Sequence, residues 1–372
     1  MTTLVVTNDY PPREGGIQTF VRALIDQLDS SEVAVFSSTS PGAAAYDAQS
    51  DLEVVRHPST MLLPTPAVTR QVAQVVRSGA FDRVLFGAAA PLGLMAPALR
   101  AAGAQRIVGL THGHETGWAL LPGSRQVLAR IGRGLDVTTY ITDYTRGILE
   151  PAMPGTDLRR LPPGVDIDRF RPDIDASRVL ARHELTGVPV IGCISRLVPR
   201  KGQDYLIRAL PLVRAAVPEA RLLIVGGGRD ERRLRALANT HRVSDAVVFA
   251  GRPPSKELAE YYAACDVFAM PCRTRRGGLD VEGLGMVYLE AAATGVPVVA
   301  GTSGGAPEAV EQGITGTVLR DATDRSEIAG VLVRLLSDRT LAAQQGAAGR
   351  AWVEREWTWE RQGERLREIL AG

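Results

Sequence analysis

Short runs of aliphatic and β-branched residues alternate with segments of helical hydrophobic spacing along the whole of this 372-residue chain. No other feature constrains the fold as strongly, because strands separated by helices pair in parallel and are covered by helices on both faces of the sheet. The segment after the first strand has the clearest helical spacing, with apolar side chains at Ile17, Phe20, Val21, Leu24, Ile25 and Leu28. The pattern predicts an α/β fold in which each half of the chain is a doubly wound unit.

The predicted strands divide evenly between the two halves. In the first half they are Leu4–Thr7, Val33–Ser37, Leu52–Val55, Arg83–Phe86, Arg106–Leu110 and Thr138–Ile141. In the second half they are Val188–Ile194, Arg221–Val225, Ala246–Ala250, Val267–Met270, Val296–Ala300 and Gly316–Leu319. Prolines and Gly164 interrupt both periodicities within residues 161–172, which predicts a linker there. We therefore expect domains at residues 1–165 and 166–350, and a tail at residues 351–372 whose tryptophans pack on the first domain.

Composition excludes several classes of protein. A net charge of +2 provides no basic field for nucleic acid. The three cysteines form no CxxC pair, which favours free thiols in a reducing compartment. The first residues enter a strand without a signal-peptide pattern, and the longest nearly apolar run, residues 86–99, is too short to span a bilayer. These features predict a cytoplasmic protein.

Two acids, Glu282 and Glu290, flank a glycine-rich helix start in the second half. Gly283 and Gly285 permit close approach to the backbone, and the predicted helix from Met286 to Ala293 would direct free N–H groups at an anionic diphosphate. Glu290 would then accept hydrogen bonds from ribose hydroxyls, and Glu282 from hexose hydroxyls. The spacing alone fits a solvated acidic loop before an ordinary amphipathic helix equally well.

A second candidate loop follows the strand that ends at Ile194. Arg196 and Lys201 lie in this loop, outside the carboxyl end of a strand, where doubly wound sheets bind ligands. Two cations in one loop can neutralise a diphosphate without a metal. Solvated surface charge is the alternative, but Lys201 is one of only two lysines in the chain. We interpret the neighbouring Arg200 as a surface residue.

In the first half, two further strand ends carry candidate residues. Gly15 and Gly16 lie where the first helix begins, so a phosphate can approach the backbone there, although a simple turn explains the pair as well. His112 and His114 follow the strand that ends at Leu110. No third ligand follows at a suitable spacing, so a metal site is disfavoured and contact between His112 and a sugar hydroxyl is preferred. Motifs typical of serine hydrolases and P-loop kinases are absent from the sequence.

Taken together, these residues resemble the retaining glycosyltransferases of family 4, over nearly the whole chain. The resemblance implies the GT-B fold, in which two Rossmann-like domains face a cleft and a C-terminal helix crosses back to the N-terminal domain. It also implies catalytic or donor-contacting roles for His112, Arg196, Lys201 and Glu282, and no metal cofactor. The nucleotide-sugar site that it implies consists of Gly15, Gly16, Arg196, Lys201, Arg252, Leu258, Glu282, Gly283, Leu284, Gly285, Met286, Val287 and Glu290.

The longer strings at residues 8–18, 111–115 and 273–290 look closest to the GDP-mannose-dependent enzymes of this family that mannosylate phosphatidylinositol mannosides. That likeness implies transfer of mannose from GDP-mannose to a lipid acceptor, with an α-configured product. Arg125, Arg130 and Arg133 alternate with Val127, Leu128 and Ile131, a pattern that fits an interfacial helix on the inner face of the plasma membrane and a solvated amphipathic helix equally well. Two alternatives stay open: transfer of another nucleotide hexose to a soluble acceptor, and a GT-B protein that epimerises or only binds a nucleotide sugar.

Overall fold

The computed structural model describes residues 2–372 and divides the chain into two compact units. The first unit contains residues 2–164 together with Trp359–Gly372, and the second contains Val165–Thr358. The division falls inside the predicted linker, where Pro162 and Pro163 cannot donate backbone hydrogen bonds to a regular element.

The first unit is built on a seven-stranded parallel sheet in the order β3-β2-β1-β4-β5-β6-β7. Side chains such as Leu4, Val5 and Val6 are fully buried, as expected of strands covered on both faces. The strands are β1 Thr3–Thr7, β2 Val33–Ser38, β3 Glu53–His57, β4 Arg83–Phe86, β5 Arg106–Gly109, β6 Val137–Tyr140 and β7 Asp157–Arg160.

Helices cover both faces of this sheet. They are α1 Gly16–Ile25, α2 Ala43–Asp47, α3 Pro66–Ser78, α4 Ala96–Ala101, α5 Glu115–Leu120, α6 Pro122–Gly132, α7 Asp143–Leu149 and, at the end of the chain, α15 Trp359–Ala371, with 3-10 helices at Ser30–Glu32 and Leu92–Met95. The apolar face of α1 is buried as its spacing predicts, and it shares a core with Leu366, Ile369 and Leu370 of α15.

The second unit has a six-stranded parallel sheet in the order β10-β9-β8-β11-β12-β13. Its strands are β8 Val190–Ile194, β9 Arg221–Val225, β10 Val247–Gly251, β11 Val267–Met270, β12 Val298–Ala300 and β13 Gly316–Val318. Its helices are α8 Ser177–Arg182, α9 Gln203–Ala216, α10 Glu231–Thr240, α11 Leu258–Ala263, α12 Met286–Ala293, α13 Arg325–Ser337 and α14 Arg339–Glu356, with 3-10 helices at Pro199–Lys201, Ser244–Ala246, Ser255–Glu257, Arg276–Gly278 and Ala306–Ala309. Both units are therefore doubly wound, and all three cysteines are free and buried.

Three sequence predictions need correction. The strand β7 was not predicted, because Asp157-Leu-Arg-Arg160 is mostly charged and pairs with β6 on one side only. The tail begins at Trp359 and not at residue 351, since α14 continues to Glu356 within the second unit. The apolar side chains of α6 do not form an interfacial face, because Leu128 and Ile131 are fully buried in the core of the first unit.

Within residues 2–372, no helix is both long enough and apolar enough to cross a membrane.

Candidate active site

The loops at the carboxyl edge of the second sheet approach one another unusually closely. Gly202, at the start of α9, has a left-handed backbone with φ of 82°, and a Cβ there would lie 2.0 Å from the carbonyl oxygen of Pro271. Only glycine fits such a position without displacing backbone. This contact brings the β8–α9 loop, with Arg196 and Lys201, against the β11–α12 loop, with Glu282.

A buried ion pair lies at this junction. Lys201 Nζ is 2.7 Å from Glu282 Oε2, and each residue has only 7% of its surface exposed. The backbone of Glu282 is fixed on both sides: its N–H donates to Ser303 Oγ at 3.0 Å, and its carbonyl accepts from the N–H of Gly305 at 3.1 Å. Because an isolated charge would be costly here, the pair holds both side chains in place.

Arg200 also belongs to this cluster, so its interpretation as a surface residue is wrong. Its Nε lies 3.5 Å from Glu282 Oε2 and its Nη1 lies 3.4 Å from Asp280 Oδ1. The side chain is only 18% exposed. The sequence signal that could have identified Arg200 is its position beside Lys201 in a loop that already carried Arg196.

Arg196 differs from these partnered cations. Its side chain is exposed, and within residues 2–372 it forms no ion pair or hydrogen bond through its guanidinium group. The loops 195–202 and 271–285 together carry six arginine or lysine residues, against the three acids Asp204, Asp280 and Glu282 that contact them. The excess of positive charge favours an anionic ligand at this edge of the sheet.

The helix α12 begins at Met286, as predicted. Gly285 precedes it with φ of 88°, and a Cβ there would lie 2.5 Å from the ring of Tyr288. The first N–H groups of α12, including those of Met286 and Val287, have no partner within the helix, and the helix dipole gives this end partial positive charge. Gly283 and Leu284 connect this helix start to Glu282.

Glu290, one turn into α12, is held by a partner that the sequence did not reveal. The Tyr262 hydroxyl on α11 donates to Glu290 Oε2 at 2.5 Å. Burial raises the pKa of Glu290 above its ordinary value, although the hydrogen bond from Tyr262 and the charge of Arg169 act against this shift. Glu290 remains partly exposed, and Oε1 makes no hydrogen bond within residues 2–372, so the carboxyl group retains capacity for ligand hydroxyls.

The two predicted base-contacting residues lie in the loop after β10 and at the start of α11. Arg252 is exposed in the loop that follows β10, and Leu258 is half-buried at the start of α11. Since residues four apart share a face of a helix, Leu258 lies on the same face of α11 as Tyr262. A nucleotide whose ribose binds Glu290 would therefore have its base beside this face.

In the first unit, α1 begins at Gly16, so Gly15 and Gly16 occupy the predicted helix N-terminus. Both glycines are exposed. A Cβ added to Gly16 would meet nothing within 4 Å, whereas one added to Gly15 would lie 2.2 Å from Oε1 of Gln18. The fold itself therefore does not require glycine at position 16.

His112 follows β5 and is held in one tautomer. Its Nε2 lies 2.6 Å from the carbonyl oxygen of Gly87, so Nε2 carries the proton and donates it. Burial lowers the pKa of His112, and the nearby Glu115 carboxylate only partly offsets this effect. The neutral ring leaves Nδ1 as a hydrogen-bond acceptor.

His114 and Glu115 complete the surroundings of this histidine. The carboxylate of Glu115 is fully buried and accepts from the backbone N–H of His112 at 3.0 Å. The exposed His114 ring stacks on that of His112 with 6.0 Å between centroids. Among residues 2–372, no group of three histidine, cysteine or acidic side chains is placed to hold a metal ion.

Family comparisons cover both units. The model described as Glycosyltransferase Family 4 matches residues 14–169, and the model described as Glycosyl transferases group 1 matches residues 180–352. Between them, the two matches include every predicted site residue.

Two relatives align over almost their whole length. One is the GDP-mannose-dependent monoacylated alpha-(1-6)-phosphatidylinositol monomannoside mannosyltransferase of Corynebacterium glutamicum, which is 51% identical over 99% of this chain and 97% of that protein. The other is the GDP-mannose-dependent alpha-(1-6)-phosphatidylinositol monomannoside mannosyltransferase of Mycolicibacterium smegmatis, also 51% identical, over 99% of this chain and 98% of that protein.

Among solved structures, the Anabaena protein Alr3699/HepE in complex with UDP is similar with a TM-score of 0.81 over 100% of both chains. Its sequence identity is 20%, so this likeness concerns the fold alone. The prediction of two doubly wound α/β units is confirmed.

Proposed function

Because the chain belongs to the GT-B glycosyltransferases of family 4, we propose that it transfers mannose from GDP-mannose to a phosphatidylinositol mannoside lipid and forms an α-linked product. It is a hexosyltransferase, as the sequence resemblance predicted. The structural observation that carries the proposal is the Lys201–Glu282 pair, buried beside the first turn of α12. Cation, carboxylate and helix N-terminus are the three groups that a nucleotide sugar requires for its phosphates and its hexose.

In the proposed complex, the donor diphosphate binds the positively charged loops of the second unit. Arg196 has a guanidinium group free to form a bidentate contact with phosphate oxygens, and Lys201 can share its ammonium protons between Glu282 and the diphosphate. As the bond to the sugar breaks, negative charge grows on the leaving GDP. Cations already fixed by the fold stabilise that charge without reorganising, which lowers the barrier by several kcal/mol.

The sugar and nucleoside have separate partners. Glu282 accepts hydrogen bonds from hexose hydroxyls, and the N–H groups at the start of α12 contact the donor. Glu290 accepts from the ribose hydroxyls through the oxygen that Tyr262 leaves open. In the first unit, Gly16 allows a phosphate near the N-terminus of α1, and Nδ1 of the neutral His112 accepts a hydrogen bond from a sugar hydroxyl.

We propose that the reaction uses no metal cofactor. Arg196, Arg200 and Lys201 provide the positive charge that a divalent ion supplies to diphosphates in other enzymes, and this proposal rests on their arrangement. A chelator such as EDTA should leave the transfer rate unchanged. A rate that collapses with EDTA and recovers with added Mg²⁺ would overturn this part of the proposal.

The lipid acceptor places the protein at a membrane surface, and we propose the inner face of the plasma membrane. The corner between α5 and α6 supports a peripheral contact, because Leu120 and Leu121 are 50% and 60% exposed. Arg130 and Arg133 on α6 are exposed as well and suit anionic headgroups. Loss of vesicle co-sedimentation in Leu121→Ser would support this contact, and unchanged binding would remove it.

A transfer assay tests the main proposal. The protein is incubated with GDP-mannose and vesicles that contain phosphatidylinositol monomannoside, and the lipid product is identified by mass and linkage analysis. We expect one added mannose in α-linkage and release of GDP. Mannose transfer to free inositol phosphate but not to the lipid would instead favour the soluble-acceptor alternative.

A reaction without acceptor tests the second alternative. We expect GDP-mannose to remain a mannose nucleotide, with slow hydrolysis at most. Conversion of GDP-mannose to another GDP-hexose would identify an epimerase and contradict the proposal.

A further inference from the structure

The β11–α12 loop contains an exposed segment that the donor site does not use. This segment, residues 276–279, is here named the arginine–leucine tip, and it contains Arg276, Gly277, Gly278 and Leu279. The tip ends three residues before Glu282. It therefore projects from the loop that supplies the proposed sugar-binding carboxylate.

The base of the tip is firmly held. Arg275 and Asp280 exchange backbone hydrogen bonds, N–H to carbonyl, at 3.0 and 3.2 Å, which closes the loop. Arg273, just before this base, donates two hydrogen bonds to the buried carboxylate of Asp204 at 2.9 and 2.8 Å. Arg200 contacts Asp280 from the β8–α9 loop. The position of the tip is thus fixed relative to Lys201 and Glu282.

Arg276 is the charged member of the tip. It is exposed, and its guanidinium group forms no ion pair or hydrogen bond within residues 2–372. Its backbone has φ of 52°, a left-handed conformation that is unfavourable for a residue with a Cβ. An exposed guanidinium group without a protein partner is available to an anionic ligand.

Leu279 is the apolar member. It is 62% exposed, the highest value among the large apolar side chains of the described residues. An exposed leucine three positions from an unpaired arginine is the combination that suits the boundary between lipid headgroups and acyl chains. Neither residue contributes to the core of the second unit.

We propose that the arginine–leucine tip contacts the membrane-borne lipid acceptor, with Arg276 on its phosphodiester and Leu279 at the start of the acyl region. This inference rests on the proposed function, since it concerns the second substrate of the same reaction. The acceptor hydroxyl must reach the sugar bound by Glu282, so the acceptor headgroup comes to the loop that carries the tip. A guanidinium there binds the anionic phosphate by charge-assisted hydrogen bonds.

Two acceptors separate the roles of the two residues. One is phosphatidylinositol monomannoside in vesicles, and the other is its deacylated, water-soluble form, which keeps the phosphodiester. With saturating GDP-mannose, Arg276→Glu should raise the KM for both acceptors by about tenfold, the effect of reversing one charge near an anionic headgroup. Leu279→Ser should raise the KM for the vesicle-borne acceptor only.

Matched controls come from the same unit. Arg242 is an exposed arginine that also has a left-handed backbone, with φ of 56°, and its side chain has no partner within the described residues. Ile314 is 60% exposed, close to the value for Leu279. Arg242→Glu and Ile314→Ser should leave both KM values unchanged. Thermal melting with and without GDP verifies that each variant is folded and retains its donor site.

Several outcomes would overturn the inference. Arg276→Glu could behave like Arg242→Glu with both acceptors, which would leave the tip without a role in acceptor binding. Loss of the GDP-induced melting shift in Arg276→Glu would instead assign the tip to the donor. An Arg276→Glu effect confined to vesicles would indicate general surface attraction without recognition of the phosphodiester. If the wild-type protein transfers no mannose to either acceptor, the proposed function fails, and that result is distinct from all three.

Discussion

At the scale of single residues, Glu290 and Tyr262 show how a binding group is prepared before its ligand arrives. Burial makes the charged form of Glu290 less favourable and raises its pKa, while the hydrogen bond from Tyr262 holds the carboxyl group in one orientation. A carboxyl group that has lost part of its hydration gains more from ligand hydroxyls than one in water does. The charged form of Glu290 therefore lowers the stability of the free protein, and we propose that ribose binding offsets this cost.

A pH series on Glu290→Gln tests this cost. Because the pKa of Glu290 is raised in the folded state, protonation of this carboxyl group stabilises the folded protein. The stabilisation is complete at pH values below the pKa of Glu290 in the unfolded chain, and it is lost as the pH rises through the pKa in the folded protein. Glutamine carries no charge at any pH. The variant should therefore melt above the wild type at about pH 8 and equal to it at about pH 4.

The same variant should bind GDP more weakly. Loss of hydrogen bonds to a charged group costs about 1.5–3 kcal/mol, or roughly 10- to 100-fold in Kd. Titration calorimetry measures this change. A variant that is less stable than the wild type at high pH, or that binds GDP equally well, would show that burial of Glu290 has no part in nucleotide binding.

Some residues of the candidate site could be identified from the sequence, and others could not. Spacing along the chain singled out Glu282 and Glu290 as candidates, and the scarcity of lysine singled out Lys201, which the structure places beside Glu282. Tyr262 could not, since 28 positions separate it from Glu290 and only the folding of α11 beside α12 brings them together. Arg200 was wrongly interpreted as a surface residue, because its position beside Lys201 was the only signal and the contacts with Asp280 and Glu282 come from a distant loop.

At the scale of elements, glycines at helix starts serve two different purposes. Gly285 is required by the fold, because it has a left-handed backbone and a Cβ would collide with Tyr288. Gly16 meets no such constraint, since open space surrounds its missing Cβ. We propose that glycine at position 16 serves a ligand that approaches α1 closely.

The substitution Gly16→Ala tests this explanation. The variant should fold as stably as the wild type or slightly better, because alanine favours a helix over glycine by about 1 kcal/mol. Its transfer rate should fall by about 100-fold, the typical cost of misplacing a reacting group by a methyl radius. Thermal melting and initial-rate measurements check the two parts separately. Full activity in Gly16→Ala would exclude a close approach of donor phosphate to this helix.

Elements were predictable where an apolar pattern defines them. The helices α1 and α12 begin at the expected residues, and the strands β4, β9 and β11 match their predicted bounds. The edge strand β7 lacks an apolar pattern, because only one of its sides is paired and much of its surface meets solvent. The predicted helix α6 does form with arginines on one side and apolar residues on the other, but its apolar side chains are packed in the core of the first unit and are not available to a membrane.

In the whole molecule, the predicted site residues are distributed over two doubly wound units. The first carries Gly16 and His112, and the second carries the cations, the two glutamates and the helix start that suit a nucleotide sugar. The prolines within residues 161–172 and the alternation of strands with helices were enough to predict the boundary between the two units. The path of the last helix required the structure, because three tryptophans close together do not reveal that Trp352 and Trp357 pack in one unit and Trp359 in the other.

We expect the loops of the second unit to bind a guanosine diphosphate sugar, and thermal melting with GDP, UDP and ADP detects such binding. A ligand at about 100 times its Kd stabilises the folded protein by about 2.7 kcal/mol. We predict that GDP raises the Tm clearly and that UDP and ADP raise it less at the same concentration. An unchanged Tm with all three nucleotides, at concentrations up to the millimolar range, would contradict the claim.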